Sequence, residues 1–362
     1  MTNDRIKKYR SEEGSRSQGT EHFAALNSGR GFICYYREVF GDAKIKKRYI
    51  IKGGPGTGKS SFMKRMAAQA EAHGKTVDRY RCSSDPDSLD GIIIDGETAF
   101  LDGTAPHIYE PNISGAEDEI VNLGMFWNSD KLYESYNRIA TLSAMRSSAY
   151  SKAYRFLGAA MNVEEINRAL VSPARLMDKM NGAVARIMKE IPDGTKYSAE
   201  YGFINAIGMK GRAHLPTYES VASKLYSVYD CYGIAGDVLC TVLDYAVEKR
   251  LRVRISYSPL VPSLPDALLL IESGVAFVIS DGEEIEGEIK LNAKRFIDES
   301  KIARIKSEYR QNLKLKNALL DSAVEALSEA GVYHFELEDI YVKCMDFQAE
   351  SQFINSFCEK II

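Results

Sequence analysis

Residues 49–61 constrain the fold of this chain more than any other stretch. The apolar run Tyr49-Ile50-Ile51 leads through Lys52 into a series of small and polar residues, Gly53, Gly54, Pro55, Gly56, Thr57, Gly58, Lys59, Ser60 and Ser61. Strong helix formers with apolar residues at helical spacing follow at positions 62–70. The pattern predicts a buried strand, a tight turn and a helix in direct succession, and residues 53–60 match G-x-x-x-x-G-K-[ST].

These residue types suit the binding of a triphosphate. Glycines let successive backbone N–H groups turn inward and approach phosphate oxygens without a clash from a Cβ atom. A helix that begins at Lys59 adds the partial positive charge of its N-terminus. Lys59 is expected to reach the β- and γ-phosphates, and the Ser60 hydroxyl is expected to bind Mg²⁺. We therefore predict that residues 53–61 bind ATP with Mg²⁺.

Composition excludes several other classes of protein. The chain has 362 residues, of which 45% are hydrophobic, and a net charge of −3. The length suggests two domains, and the balanced charge favours neither nucleic acid nor an anionic membrane as a partner. The six cysteines form no C-x-x-C pair, which is typical of reduced thiols. Because residues 1–21 lack the apolar segment of a signal peptide and the apolar runs are short, we expect a cytoplasmic protein.

We predict three parts along the chain. Residues 1–20 are polar and are typical of a flexible arm. Residues 21–195 form a first module, in which apolar runs between short loops predict a parallel sheet wrapped by helices. Within it, residues from about 116 to 190 have helical spacing and predict a helical insert. Residues 196–362 form a second module with a helical C-terminal part.

The second module repeats the first. When Lys47–Lys52 is aligned with Lys224–Tyr229, Gly56 falls on Gly233. In the same alignment, however, Lys59 and Ser60 fall on Gly236 and Asp237. We therefore predict a tandem duplication whose second site is degenerate. Asp237 is expected to cap the N–H groups at the helix start itself and to repel a triphosphate.

Two further runs carry a family resemblance together with the glycine-rich segment. They are Cys82-Ser83-Ser84-Asp85-Pro86-Asp87-Ser88-Leu89-Asp90-Gly91 and Leu101-Asp102-Gly103-Thr104-Ala105-Pro106-His107. The chain resembles a group of poorly characterised bacterial tandem P-loop ATPases, also described as nucleotide-kinase-like, over most of residues 22–190 and more faintly over 200–345. The resemblance implies a P-loop NTPase fold, binding of ATP and Mg²⁺, and ATP hydrolysis or phosphoryl transfer. It implies no particular substrate.

Carboxylates near strand ends are the catalytic candidates beside Lys59. Asp102 follows the apolar run 99–101 and is the candidate for positioning Mg²⁺. Asp85 and Asp87 are candidates for orienting an acceptor hydroxyl, although Asp, Pro and Ser are also ordinary turn formers. His107 is a weaker candidate, for polarising a phosphate or fixing Asp102, because a single histidine after a proline is more often an ordinary loop residue. An arginine finger is expected, if anywhere, in the helical insert, at one of Arg138, Arg146 and Arg155.

Three functions remain open from the sequence. The first is an ATPase whose second module is regulatory or structural. The second is a kinase that transfers the γ-phosphoryl group to a small molecule or nucleotide bound near Asp85–Asp90. The third is an ATP-dependent sensor without catalysis. The sequence also leaves open a homodimer that completes the site.

Overall fold

The computed structural model describes residues 19–280, 282, 285 and 287–362. In the first half, the strands are β1 (Glu21–Phe23), β2 (Ala25–Ser28), β3 (Gly31–Cys34), β4 (Lys47–Lys52), β5 (Val77–Arg81), β6 (Leu89–Ile94), β7 (Thr98–Asp102) and β8 (Asp118–Asn122). Six of them form a first sheet in the order β1-β5-β6-β7-β4-β8, while β2 and β3 form a separate hairpin.

A second sheet follows in the other half of the chain. Its region contains β9 (Ser198–Tyr201), β10 (Asn205–Gly208), β11 (Gly211–His214), β12 (Lys224–Tyr229), β13 (Arg252–Tyr257), β14 (Pro265–Leu270), β15 (Val275–Ser280) and β16 (Ile289–Asn292). The order is β9-β13-β14-β15-β12-β16, and β10 pairs with β11.

Seven helices lie in connections between the described strands, and two more follow the last described strand, β16. They are α1 (Tyr36–Phe40), α2 (Lys59–Ala72), α3 (Ser129–Glu134), α4 (Tyr136–Val171), α5 (Met177–Met188), α6 (Thr217–Val221), α7 (Ala235–Glu248), α8 (Glu299–Val342) and α9 (Phe347–Ile361). The two long helices, α4 and α8, pack against each other. In the described part of the chain, no helix is both long enough and apolar enough to cross a membrane.

The two sheets have the same topology. In each, the strand second from one edge (β4 or β12) lies between two parallel neighbours. The next pairs along the sheet, β7–β6 and β6–β5 or β15–β14 and β14–β13, are antiparallel. The opposite edge strand, β1 or β9, is again parallel to its neighbour. The alignment predicted from sequence places β4 on β12 and β7 on β15. Beyond these strands the spacing between equivalent positions becomes shorter, and the short 3-10 helix at 123–126 corresponds to the one at 293–296. The change arises because residues 103–117 connect β7 to β8, whereas only residues 281–288 connect β15 to β16.

Each half contributes its last helix to the core of the other. Met180, Val184 and Met188 of α5 lie in the apolar core against the second sheet. Ile354 and Phe357 of α9 lie in the core against the first sheet. Residues 189–197 therefore lie between the two sheets, but they do not separate the two packing units.

Two other sequence predictions were wrong. The first sheet is mixed rather than parallel, because β5, β6 and β7 are joined by short turns that leave no room for a crossover helix. The predicted helical insert at about 116–190 includes β8, and the helices begin only at Ser129. The predicted arm at residues 1–20 lies outside the described residues except for its end, where the Thr20 amide donates to Asp78 Oδ1 at 2.8 Å.

Candidate functional site

The glycine loop, residues 53–58, connects strand β4 to the start of α2. Gly56 and Gly58 have φ angles of 66° and 77°, a left-handed conformation in which a glycine avoids the strain of a side chain. Thr57 is buried, and its hydroxyl donates to the Gly54 carbonyl oxygen at 2.8 Å. The loop therefore has the strand–turn–helix context and the backbone geometry that the sequence predicts.

Lys59 and Asp102 meet at the carboxyl ends of strands β4 and β7. Lys59 Nζ donates to the carbonyl oxygens of Gly53 and Gly54, at 3.1 and 2.9 Å, and lies 3.6 Å from Asp102 Oδ2. Asp102 reaches this position because β7 runs parallel to β4, with Asp102 opposite Ile51. Its Oδ1 accepts a hydrogen bond from the Thr104 amide at 2.8 Å, which leaves Oδ2 directed to the lysine.

Ser60 and Ser61 differ in their surroundings. Ser60 Oγ accepts a hydrogen bond from the Leu89 amide at 3.0 Å, whereas Ser61 is exposed. Among residues 19–280, 282, 285 and 287–362, no group of three or more His, Cys, Asp or Glu side chains is arranged to hold a metal ion. Mg²⁺ in triphosphate sites is held by one or two protein ligands together with phosphate oxygens and waters. The pair Ser60 and Asp102 fits that mode and does not fit a metal cage made by protein alone.

Asp85 and Asp87 face a lysine from the second half of the chain. Lys210, in the turn between β10 and β11, places its Nζ 2.8 Å from Asp85 Oδ1 and 2.6 Å from Asp87 Oδ2. This ion pair lowers the pKa of Asp87, whose side chain is 84% exposed. Both carboxylates are thus occupied by Lys210.

Asp90, in strand β6 just after this turn, has a carboxyl group that is buried in the protein. The Asp90 Oδ2 atom lies 3.5 Å from His107 Nε2. Burial raises the pKa of Asp90, and the nearby Asp102 raises it further. The signal in the sequence was an acid inside an otherwise apolar strand. The equivalent position in β14, Asp266, is also buried, and burial raises its pKa too. A buried acid here belongs to both repeats.

The second loop, residues 230–235, occupies the equivalent place between β12 and α7. Asp230 accepts hydrogen bonds from the amides of Gly233 and Ala235, at 3.0 and 2.8 Å. Asp237 does not cap the loop, contrary to the sequence prediction. Its carboxylate instead pairs with Arg168 and Arg175, at 2.5 and 3.2 Å. The loop amides are filled by Asp230 because that side chain precedes the turn and folds back over it.

The aligned positions explain how the two loops differ. Asp230 aligns with Gly53, so the first loop has no side chain of its own to fill its amides. Asp102 aligns with Ile279, which places an apolar residue where the first half has a carboxylate. The second loop therefore lacks the lysine, the hydroxyl and the acid together.

Residues from the end of the chain also cover the glycine loop, which sequence reasoning missed. A Cβ atom at Gly54 would lie 2.8 Å from the Tyr341 ring, and one at Gly58 would lie 2.2 Å from Glu350 Oε1. Glu350 is buried, its Oε1 has no hydrogen-bond partner, and burial raises its pKa. The close approach of α8 and α9 is a second reason for glycines in this loop.

The three arginines of the helical insert have separate environments. Arg138 pairs with Glu336 on the exposed side of α8. Arg146 Nη1 lies 3.3 Å from His334 Nδ1, and His334 in turn neighbours Glu338. Arg155 lies on the outer surface of α4 beside Lys152. Of these three arginines, Arg146 is linked through His334 to Glu338, whose backbone lies against Gly56 of the glycine loop.

The fold and site together define an α/β protein with parallel-containing sheets flanked by helices. Comparison with known proteins adds nothing to this description: no protein-family model, no curated protein and no solved structure matches the chain.

Proposed function

We propose that the chain is a P-loop NTPase that binds ATP with Mg²⁺ at residues 53–61 and hydrolyses it. The observation that carries the proposal is the Lys59–Asp102 pair, 3.6 Å apart at the start of α2, beside a loop with two left-handed glycines. A cation and a carboxylate at the carboxyl ends of two adjacent parallel strands are what a triphosphate and its Mg²⁺ require. The second module, which lacks these groups, is regulatory or structural.

Each residue has a distinct role in this proposal. The bound Mg·ATP supplies the reactive phosphoanhydride. The backbone N–H groups of Gly54 and of residues 56–60 bind phosphate oxygens, and Lys59 turns its ammonium from the Gly53 and Gly54 carbonyls toward them. Asp102 and Ser60 orient the ion through oxygen atoms.

A kinase is the second candidate, and Asp90 is the observation that favours it. A carboxyl whose pKa is raised by burial, close to Lys59 and Asp102, suits proton transfer from an acceptor hydroxyl. Asp266 weakens this argument, because the same buried acid occurs in the half that has no lysine. The ATPase is therefore the primary proposal, and the ATP-dependent sensor is the third.

The fate of the γ-phosphate of labelled ATP separates the three functions. We expect the pure protein with Mg²⁺ to release phosphate without any acceptor, and Lys59→Ala to abolish this release. Lys64→Ala is the matched control, because Lys64 lies exposed on the same helix and donates to the Asp87 carbonyl oxygen. Transfer of the label to one added metabolite, with ADP formed and no free phosphate, would identify a kinase. Binding with neither release nor transfer in any condition would identify a sensor, and undiminished turnover in Lys59→Ala would rule out this site.

A further inference from the structure

The last turns of α8 lie directly on the glycine loop. A Cβ atom at Gly56 would lie 2.9 Å from the Glu338 carbonyl oxygen and 3.2 Å from its Cα. Val342 approaches the same position, and the Tyr341 ring covers Gly54. This helix belongs to the second half of the chain, so the loop of one repeat is covered by the long helix of the other.

Glu338 brings a carboxylate to the loop at this contact. His334 Nε2 lies 3.4 Å from Glu338 Oε1, and the side chain is 36% exposed. The His334 interaction lowers the pKa of Glu338, and the Gly56 amide and Lys59 lower it further. A backbone N–H of the glycine loop and its lysine thus both favour the charged form of this acid, as they would favour a phosphate.

The equivalent contact in the second half has the opposite charge. Glu338 aligns with Arg168 when the two long helices are superposed in the register of the 3-10 helices that precede them. The equivalent bridges Trp127–Met345 and Arg175–Ile297 support the same register. Arg168 donates to the Gly233 carbonyl oxygen at 3.0 Å and pairs with Asp237. Each long helix therefore presents to the opposite loop a side chain that complements its charge: the cationic loop receives an acid, and the acidic loop receives a base.

We propose that Glu338 is an internal anion that competes with phosphate for the glycine loop, so that nucleotide binding expels it and shifts the end of α8. This inference rests on the proposed function and adds a form of regulation to the same site. A carboxylate and a triphosphate held beside the same loop repel each other. The carboxylate must leave as the triphosphate arrives, and the second repeat thereby senses the occupancy of the first.

The end of α8 has a built-in reporter. Trp127 is the single tryptophan of the chain, and its ring centroid lies 5.8 Å from that of Tyr341. The neighbouring Asn128 also ties this segment to the residues after α8, because its backbone N–H donates a hydrogen bond to the Cys344 carbonyl oxygen at 2.8 Å. A displacement of Tyr341 from Gly54 changes the surroundings of the indole, so its fluorescence follows the movement.

The test is the affinity for Mg·ATP of three proteins, measured by calorimetry and by Trp127 fluorescence. Glu338→Gln keeps the shape of the side chain and removes its charge. Glu336→Gln is the matched control, because Glu336 lies on the same helix, is 42% exposed and pairs with Arg138. We expect Glu338→Gln to bind Mg·ATP about tenfold more tightly than wild type, which corresponds to one charge-assisted hydrogen bond. We expect Glu336→Gln to match wild type, and Mg·ATP to change the fluorescence of wild type.

Lys59→Ala separates the two proposals. If wild type binds Mg·ATP and Lys59→Ala does not, the phosphate site stands whatever Glu338 does. Unchanged or weaker binding by Glu338→Gln would then overturn the competition alone, as would an equal gain in Glu336→Gln. Binding by Glu338→Gln but not by wild type would support it. If no variant binds Mg·ATP, the proposed function and this inference both fail.

Discussion

The exchange of α5 and α9 between the two halves makes a quantitative prediction at Phe357. This side chain is 9% exposed and lies among aromatic residues of the first sheet and α2. Its ring centroid is 5.2 Å from that of Tyr49 and 5.6 Å from that of Phe62. Truncating a buried phenylalanine to alanine costs about 3 to 5 kcal/mol. Because Phe357 retains slight exposure, we expect Phe357→Ala to lower the free energy of unfolding of the first-sheet unit by about 3 kcal/mol.

Urea unfolding followed by Trp127 fluorescence measures this effect, because Trp127 lies where the first sheet meets α8. Phe347→Ala is the control, since Phe347 belongs to the same helix but is 40% exposed. We expect the control to cost less than about 1 kcal/mol. A loss in Phe357→Ala no larger than that of the control would refute the assignment of α9 to the first core.

Two further predictions concern buried charge. Arg168→Met leaves Asp237 with Arg175 alone in a largely buried setting, so we expect a loss of about 2 kcal/mol in urea unfolding; stability equal to wild type would show that the pair is dispensable. Burial lowers the pKa of His22 well below 6.5, and the guanidinium of Arg254, 3.5 Å away, lowers it further. The folded protein therefore binds fewer protons than the unfolded chain below pH 6.5, and its stability falls as the pH is lowered through that range. His22→Gln removes this contribution, so its unfolding free energy should fall less steeply than that of wild type, by up to about 1.4 kcal/mol per pH unit. Parallel pH curves for the two proteins would contradict this.

The local structure around the glycine loop was predictable from sequence. Apolar residues 49–51, two left-handed glycines and a helix-forming run lie close together along the chain, and their effects are local. The strand β8 was missed because it lacks such a local apolar signal. Its residues Asp118, Glu119 and Asn122 are polar, so the segment lacks a run of apolar residues. Asp118 is buried beside Arg48. Glu119 and Asn122, in contrast, are partly or fully exposed on an edge strand that has one neighbour.

The exchange of helices and the cover on the loop were not predictable in the same way. Helical periodicity gives α9 an apolar face, but nothing in that period says which sheet it covers. The contact of Glu338 with Gly56 joins residues far apart in sequence and depends on how two long helices pack. The capping of the second loop by Asp230 rather than Asp237 likewise depended on arginines that α4 and the turn after it bring from the first half.

The packing of the helices makes each half of the chain depend on the other. Its helix α9 completes the first core, and the end of α8 covers the glycine loop. In exchange, α5 completes the second core. The second half is thus required for the stability of the first, and we infer that this is its structural role.

The number of Mg·ATP molecules bound by each chain tests the central claim most directly. Calorimetric titration gives this stoichiometry together with the affinity. The account predicts one site per chain, which is lost in Lys59→Ala and kept in Lys64→Ala. Two sites per chain would contradict the assignment of the second loop as degenerate, and one site that survives in Lys59→Ala would contradict the assignment of the first.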